Sequence, residues 1–305
     1  MQVQGIHLLL TYKCNARCRH CFLSAGPERA EVFPLERASR LVDQAASLSS
    51  VNHLFIEGGE PFLYPHLMEA LIRRATGAGL WVGALTNGFW AVSDERAAVV
   101  LKPLVKAGLK SLSISTDAWH EEFVSPALVR RAANVATKIG LDVDVMVCRA
   151  MKPAPGEIEE LETALAPTPV YAGGIVGRGR AASAICLNGA RAWESLTTCR
   201  EDLQAPGRVH IGPGGEVHLC QGLLLGAKVG EMSLDQVFSG YLPRRHPIVA
   251  PLIEGGPAAL ARYAVDYGFK PRGGYVDGCQ LCFEVRAFLR DRFPAELGPG
   301  FVYAA

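Results

Sequence analysis

The chain has 305 residues, with Lys+Arg 31 against Asp+Glu 30, nine cysteines and 49% hydrophobic residues, which is long enough for one large or two modest domains with a buried core. The near-neutral charge offers no basic field for a phosphate backbone, no apolar run approaches the ~20 residues that span a bilayer, and Met1 to Leu10 lacks the features of a signal peptide, so neither nucleic acid nor membrane is an expected partner. An odd number of cysteines, unevenly clustered, argues against a secreted disulfide scaffold and for a reducing, cytoplasmic location.

In chain order, the apolar run Ile6–Thr11 reads as a first strand. Cys14, Cys18 and Cys21 follow at once, spaced Cys-x-x-x-Cys-x-x-Cys. Three thiolates this close can hold three irons of a cubane cluster and leave the fourth iron without a protein ligand, open to a small molecule. Leu35–Leu48 carries apolar residues at helical spacing, Leu35, Ala38, Leu41, Val42, Ala45 and Leu48. A second strand, His53–Ile56, runs into Glu57-Gly58-Gly59-Glu60-Pro61. Glycines at that point let the backbone approach a ligand closely, and a glutamate can accept from an ammonium.

The same alternation continues. Helix Pro65–Thr76 precedes strand Leu80–Leu85 and the segment Thr86-Asn87-Gly88. Helix Asp94–Ala107 precedes strand Ser111–Ser115, which runs on to Thr116-Asp117. Trp119-His120-Glu121-Glu122-Phe123 reads as a surface loop, and Asp117 as either a ligand contact or the cap of that turn. Helix Pro126–Ile139 precedes strand Leu141–Val147, with Cys148 and Arg149 at its end. Helix Glu157–Leu165 and strand Val170–Ile175 complete six strand–helix repeats, which imply parallel strands joined by crossover helices. Gly177-Arg178-Gly179-Arg180 then breaks the pattern, so a domain boundary is placed at 180. In barrels of this kind the chemistry gathers at the carboxyl ends of the strands, where the three-cysteine loop, Gly58–Pro61, Asn87, Ser115, Asp117 and Arg149 all fall.

Beyond the boundary, Val209–Leu219 reads as two strands about a Gly/Pro turn, a hairpin, and Cys220 ends its second strand. Cys279-Gln280-Leu281-Cys282 opens a helix over Phe283–Phe293, and Gly255-Gly256-Pro257 and Gly273-Gly274 mark loops. Cys199, Cys220, Cys279 and Cys282 form a second set, which on residue types alone is either an iron–sulfur cluster or a structural zinc site. Cys148 and Cys186 belong to neither set. Cys148 could return a hydrogen atom to a carbon radical, or be a small buried hydrophobe like most lone cysteines.

On the three-cysteine loop, Gly58-Gly59-Glu60-Pro61 and the weaker segments after strands three, four and six, the chain resembles the radical S-adenosylmethionine (SAM) superfamily over roughly residues 5–180. The resemblance implies an α/β fold, a partial (β/α)6 TIM-like barrel over 1–180. It also implies a [4Fe–4S] cluster held by Cys14, Cys18, Cys21 and S-adenosyl-L-methionine. Gly58, Gly59, Glu60 and Pro61 would bind the SAM amino group, and His20 would stack near the adenine, the alternative being a loop histidine satisfied by backbone. Arg149, at the end of the fifth strand, is either a partner of the SAM carboxylate or a solvated or helix-capping arginine. Asn87, Ser115 and Ile175 fall in the remaining cofactor-contacting segments, and Asp117 and Cys148 are the catalytic candidates. The hairpin plus helix with four cysteines resembles the twitch domain, the shorter relative of the SPASM domain. It implies one auxiliary [4Fe–4S] cluster on Cys199, Cys220, Cys279 and Cys282 within a small cluster-binding domain over 181–305.

The activity so implied is reductive cleavage of SAM to a 5′-deoxyadenosyl radical that abstracts a substrate hydrogen, with an external electron donor such as flavodoxin or ferredoxin. A cluster with four thiolate ligands can only pass electrons, which favours oxidation of a small molecule. Cross-linking or epimerisation of a ribosomally made peptide is the alternative, and a non-enzymatic zinc-binding module the alternative of another class. The chain starts almost at its first strand, leaving no room for a fused peptide-recognition domain, and this tilts the expectation to the small molecule.

Overall fold

A computed structural model describes residues 1–149, 156–186 and 189–304. The chain divides into a barrel unit, Gly5–Cys18 with Ala25–Ile175, and a cysteine-rich unit, Met1–Gln4 with Arg19–Ser24 and Val176–Ala305.

The barrel unit runs β1 (Gly5–Thr11), α1 (Leu35–Ser47), β2 (His53–Gly58), α2 (Pro65–Gly77), β3 (Trp81–Thr86), α3 (Asp94–Ala107), β4 (Ser111–Ser115), α4 (Pro126–Lys138), β5 (Asp142–Arg149), α5 (Glu157–Leu165) and β6 (Val170–Gly174). Each strand pairs in parallel with the next, which gives the six-stranded partial barrel expected from the alternation. One face of the sheet is dry: Leu8, Leu10, Leu54, Ile56, Val82, Ala84, Leu112, Ile114 and Val145 are fully buried. Because side chains alternate along a strand, the opposite face carries the polar set, where Ser113 Oγ donates to Asp144 Oδ2 at 3.0 Å.

Helix ends follow local chemistry. Ser93 caps α3 by accepting from the Arg96 N–H, Asp94 and Glu95 occupy its first turn, and Gly108 closes it at φ +115°. At the end of β1 the pairing with β2 slips between Leu9 and Thr11, an irregularity that re-aims the strand just before the cysteine loop.

The cysteine-rich unit contains α6 (Arg180–Ala184), β7 (Arg208–Ile211), β8 (Glu216–Cys220), β9 (Leu223–Lys228), α7 (Leu234–Ser239), α8 (Val249–Val265) and α9 (Gly278–Leu289). The hairpin read from the sequence is β7–β8, turned at Gly215 with φ +85°; a third antiparallel strand, β9, extends it. That strand hides in the sequence because only Gln221 and Gly222 separate it from Cys220. The Gly255–Gly256 break is real but lies inside a helical stretch: Gly256 takes φ +64°, and a Cβ there would meet the Thr197 carbonyl carbon at 2.3 Å. α9 starts one residue before Cys279, capped by Asp277 through the Gln280 N–H, and it ends at Leu289 rather than at Phe293. Among the described residues no helix is long and apolar enough to cross a membrane.

Candidate cluster and cofactor sites

β1 delivers the chain to Cys14. The Cys14 N–H donates to the Gly26 carbonyl at 3.1 Å, and the Gly26 N–H returns to the Tyr12 carbonyl at 3.3 Å, so the loop base is closed by backbone. The Cys14 sulfur accepts the Ala16 N–H at 3.4 Å and lies 3.9 Å from Asn87 Nδ2, which also donates to Asn15 Oδ1 at 2.9 Å. Cys18 is buried and Cys14 half-buried. Cys21 and the half-buried His20 lie on the segment Arg19–Ser24 of the cysteine-rich unit. There the Arg180 N–H donates to the Cys21 carbonyl at 3.0 Å.

β2 ends in a clamp on that loop. The Gly59 N–H donates to the Thr11 carbonyl at 2.7 Å and the Glu60 N–H to the Lys13 carbonyl at 2.9 Å. A Cβ on Gly58, which sits at φ +134°, would lie 2.4 Å from the Thr11 oxygen, and one on Gly59 would lie 2.1 Å from the Lys13 oxygen. The paired glycines therefore serve the approach of backbone to backbone, where the sequence had suggested an approach to ligand.

The Glu60 carboxylate is fully buried and heavily used. Oε1 accepts from the Phe62 N–H at 3.0 Å and from Thr86 Oγ at 2.8 Å, while Oε2 accepts from the Asn87 N–H at 2.8 Å. Burial nevertheless pushes its pKa up to about 7, against these three donors. Thr86 in turn accepts from Trp90 Nε1 at 3.0 Å, and Trp90 stacks on Phe62 with centroids 5.0 Å apart. Pro61, buried, starts the short 3₁₀ turn Pro61–Leu63. Glu60 thus braces the loops after β2 and β3, with lone-pair capacity left on Oε2 for one further donor.

Past β4, Asp117 is buried and performs the capping role that the sequence left open. Its Oδ1 accepts the N–H groups of Trp119 and His120, both at 3.0 Å, and Oδ2 accepts the Cys148 N–H at 3.2 Å. His120 Nδ1 lies 2.9 Å from Oδ2, so the loop read as plain surface contains a largely buried carboxylate–imidazole pair. The Asp-x-x-His spacing within a turn was the available signal. Cys148 is half-buried on the polar face of β5, in the alternation that includes Asp144 and Met146. Ser115 ends β4 opposite Met146. Arg149 is exposed at the end of β5, and Ile175, buried after β6, donates its N–H to the Arg149 carbonyl at 3.2 Å.

In the cysteine-rich unit, Cys220 at the end of β8 lies within electrostatic reach of Cys199, Cys279 and Cys282. Burial pushes the Cys279 and Cys282 thiols up to about 12 and raises Cys199 as well, so replacement of the proton by a metal is what would hold these three as thiolates near neutrality. Two arginines missed in the sequence lie among them: Arg178 Nη1 is 3.2 Å from Cys220 Sγ, and Arg286 is 1% exposed. The donor set of four thiols facing two guanidiniums suits an anionic metal–sulfur group. Among the described residues, the trios of His, Cys, Asp or Glu whose ligand atoms lie within 4.8 Å of one another contain no cysteine. A tetrahedral zinc with Zn–S of ~2.3 Å would draw its sulfurs to about 3.8 Å apart. No disulfide joins any of the nine cysteines.

Residues 8–148 match the family model described as the radical SAM superfamily. The chain is 23% identical over 224 residues to the putative peptide biosynthesis protein YydG of Bacillus subtilis (strain 168), covering 72% of this chain and 70% of that protein. It is 31% identical over 121 residues to GTP 3′,8-cyclase of Paenarthrobacter nicotinovorans, covering 38% of this chain and 32% of the cyclase, so it spans about a third of that relative's length. In fold it is similar to native anSMEcpe with bound AdoMet and Cp18Cys peptide, with a TM-score of 0.56 at 13% identity over 95% of this chain and 98% of that one.

Proposed function

We propose that this chain, whose residues 8–148 match the radical SAM superfamily model, binds a [4Fe–4S] cluster at Cys14, Cys18 and Cys21 with SAM beside it, and modifies a peptide by hydrogen abstraction. When bound, that cluster supplies the electron, drawn from an external donor such as flavodoxin or ferredoxin, that cleaves SAM to the 5′-deoxyadenosyl radical. The protein's part is position. The clamp of Gly59 on Thr11 and of Glu60 on Lys13 holds the base of the cysteine loop. Glu60 fixes Asn87, and Asn87 reaches Cys14. Pro61 starts the turn that fixes Phe62, and Ser115, Arg149 and Ile175 offer further contacts from neighbouring strand ends. Asp117 holds the backbone of Cys148 where a thiol would meet a substrate radical. His20 would lie by the adenine.

We assign Cys199, Cys220, Cys279 and Cys282 to one auxiliary [4Fe–4S] cluster rather than to zinc, since thiols beside the Arg178 and Arg286 guanidiniums suit an anionic metal–sulfur group. The match to a putative peptide biosynthesis protein over 70% of its length supports a peptide over the small molecule that the sequence alone favoured. The observation that carries the radical reading is the backbone clamp between the Gly58–Pro61 segment and the cysteine loop.

Anaerobic reconstitution tests it. About eight irons and matching sulfide per chain are expected from two cubanes, and dithionite with SAM should release 5′-deoxyadenosine. A deuterated candidate precursor peptide should pass deuterium into that product, whereas a deuterated small-molecule alcohol should not. Zinc without sulfide, or no 5′-deoxyadenosine from iron-loaded protein, would overturn the reading.

A further inference from the structure

We propose that Arg178 and Arg286 are the fixed counter-charges of the four-cysteine cluster, and that Arg178, donating to Cys220 Sγ, raises its reduction potential so that it acts as an electron acceptor. The inference rests on the assignment of a cubane to Cys199, Cys220, Cys279 and Cys282.

Arg178 is held from both sides. The Gly177 N–H donates to Asp277 Oδ2 at 3.3 Å, and a Cβ on Gly177 would meet the Gln280 Cβ at 2.5 Å. Gly179 takes φ +58°, and a Cβ there would meet the Cys21 carbonyl oxygen at 2.5 Å. Neither neighbour tolerates a side chain, so the Arg178 backbone has one place to be. Its guanidinium lies over the Phe22 ring, 5.4 Å from the centroid, and Nη1 points at Cys220 Sγ at 3.2 Å. Glu201 shares Nη1 at 3.4 Å and offsets part of the charge.

Arg286 lacks such an offset. It is fully buried in α9, its hydrogen bonds go to the backbone carbonyls of Gln221 at 2.9 Å and Cys282 at 3.4 Å, and among the described residues no carboxylate pairs with it. The rings of Phe283 and Tyr303 lie 5.9 and 5.7 Å from it. Arginine does not deprotonate in proteins, and a buried charge without a partner is strongly unfavourable. The groups placed to face it are the Tyr303 phenol and the sulfurs of Cys282, Cys220 and Cys279, and of these a metal-bound sulfur set is the one that is anionic near neutrality. Cys279 also lies in the first turn of α9, where unsatisfied N–H groups favour negative charge.

A cubane with four thiolates is already anionic when oxidised and gains one more negative charge on reduction. Fixed cations and N–H donors to the sulfurs therefore stabilise the reduced form more, which raises the potential. A merely structural arginine would affect cluster retention and leave the potential of a retained cluster alone.

The experiment uses the full chain carrying Cys14→Ala, Cys18→Ala and Cys21→Ala, so that only the second cluster contributes to an EPR-monitored redox titration. Adding Arg178→Gln should lower the reduced-to-oxidised ratio at a fixed ambient potential about tenfold, equivalent to ~59 mV for one electron, with iron and sulfide unchanged. Arg178→Lys, which keeps the charge and loses the fork, should give a smaller fall of about threefold. An unchanged ratio in Arg178→Gln with iron retained overturns the proposal. Should that variant lose its iron, Arg178→Lys decides by the same readout: a threefold fall supports the proposal and no change overturns it. A parent triple-alanine chain that binds zinc or no iron removes the cluster assignment itself, a failure distinct from an unmoved potential.

Discussion

Glu60 Oε2 accepts the backbone N–H of Asn87 at 2.8 Å, so a single buried carboxylate braces the loop after β2 against the loop after β3. Its pKa is raised from 4.5 to about 7 by burial. Between those values the folded chain holds a proton that the unfolded chain has released. Stability from this group is therefore present at low pH and lost as pH rises toward and beyond about 7, by roughly 3 kcal/mol in full. The buried His218, lowered to about 3 chiefly by desolvation, works oppositely below about 6.5, so total stability alone is not diagnostic. The difference between wild type and Glu60→Gln is. Urea unfolding from pH 5 to 8 should show wild type losing stability relative to the variant as pH rises. At pH 5 the variant should be the weaker by about 1–3 kcal/mol, because its amide nitrogen faces a donor. A pH-independent difference would mean that Glu60 does not titrate in this range.

The backbone clamp makes a prediction about glycines. Gly59→Ala would drive a methyl to 2.1 Å from the Lys13 oxygen, and Gly58→Ala combines a clash with Thr11 and a φ of +134°. The φ cost alone is of order 1–3 kcal/mol. Both variants should show a lowered Tm and poor retention of iron at the three-cysteine loop. Gly77→Ala is the control: nothing lies within 4 Å of its Cβ at the end of α2, so that variant should be neutral or more stable by up to about 1 kcal/mol. Equal Tm values for Gly59→Ala and Gly77→Ala would remove the clamp as an organising contact.

What the sequence revealed, and what it hid, follows from range. The strands and helices of the barrel unit stand where the period placed them because period-2 and period-3.6 patterns are local. The cysteine loop and Gly58–Pro61 were legible for the same reason. Arg178 and Cys220 are 42 residues apart, and Arg286 and Gln221 are 65 apart, so nothing local marks their pairing. His120 was closer to view, three residues from Asp117, but a histidine in a polar run looks solvated until burial is known. β9 escaped because a two-residue turn leaves no loop signature.

The cysteines divide by chemistry. Cys14→Ala, Cys18→Ala and Cys21→Ala should each cost about four irons per chain and abolish 5′-deoxyadenosine formation, while the second cluster persists. Cys186→Ala should change neither. Cys186 is fully buried, and desolvation, with Asp277 adding to it, pushes its thiol up to about 11, which leaves it unreactive. Iron, sulfide and product assays on the four variants check this. Full activity in Cys18→Ala would contradict the cluster assignment at its first step.

Cys148 separates epimerisation from cross-linking. The Cys148 N–H donates to Asp117 Oδ2, and the side chain shares the polar face of β5 with Asp144. A thiol there can return a hydrogen atom to a peptide carbon radical, the thiyl radical left behind being restored by one electron from the external donor and a proton from water. Because a thiol proton exchanges with water, an epimerised product made in deuterium oxide should carry deuterium at that carbon. Cys148→Ala should still cleave SAM, since the residue belongs to neither cysteine set, yet product formation should fall more than about tenfold. Cross-linking needs no returned hydrogen, so a variant that forms product at the wild-type rate points to bond formation. Deuterated product from Cys148→Ala would instead show that another residue supplies the hydrogen. Asp117→Asn tests the positioning separately. Its amide can keep acceptors toward the Trp119 and His120 N–H groups but puts a donor toward Cys148, so hydrogen return should weaken while SAM cleavage stays intact.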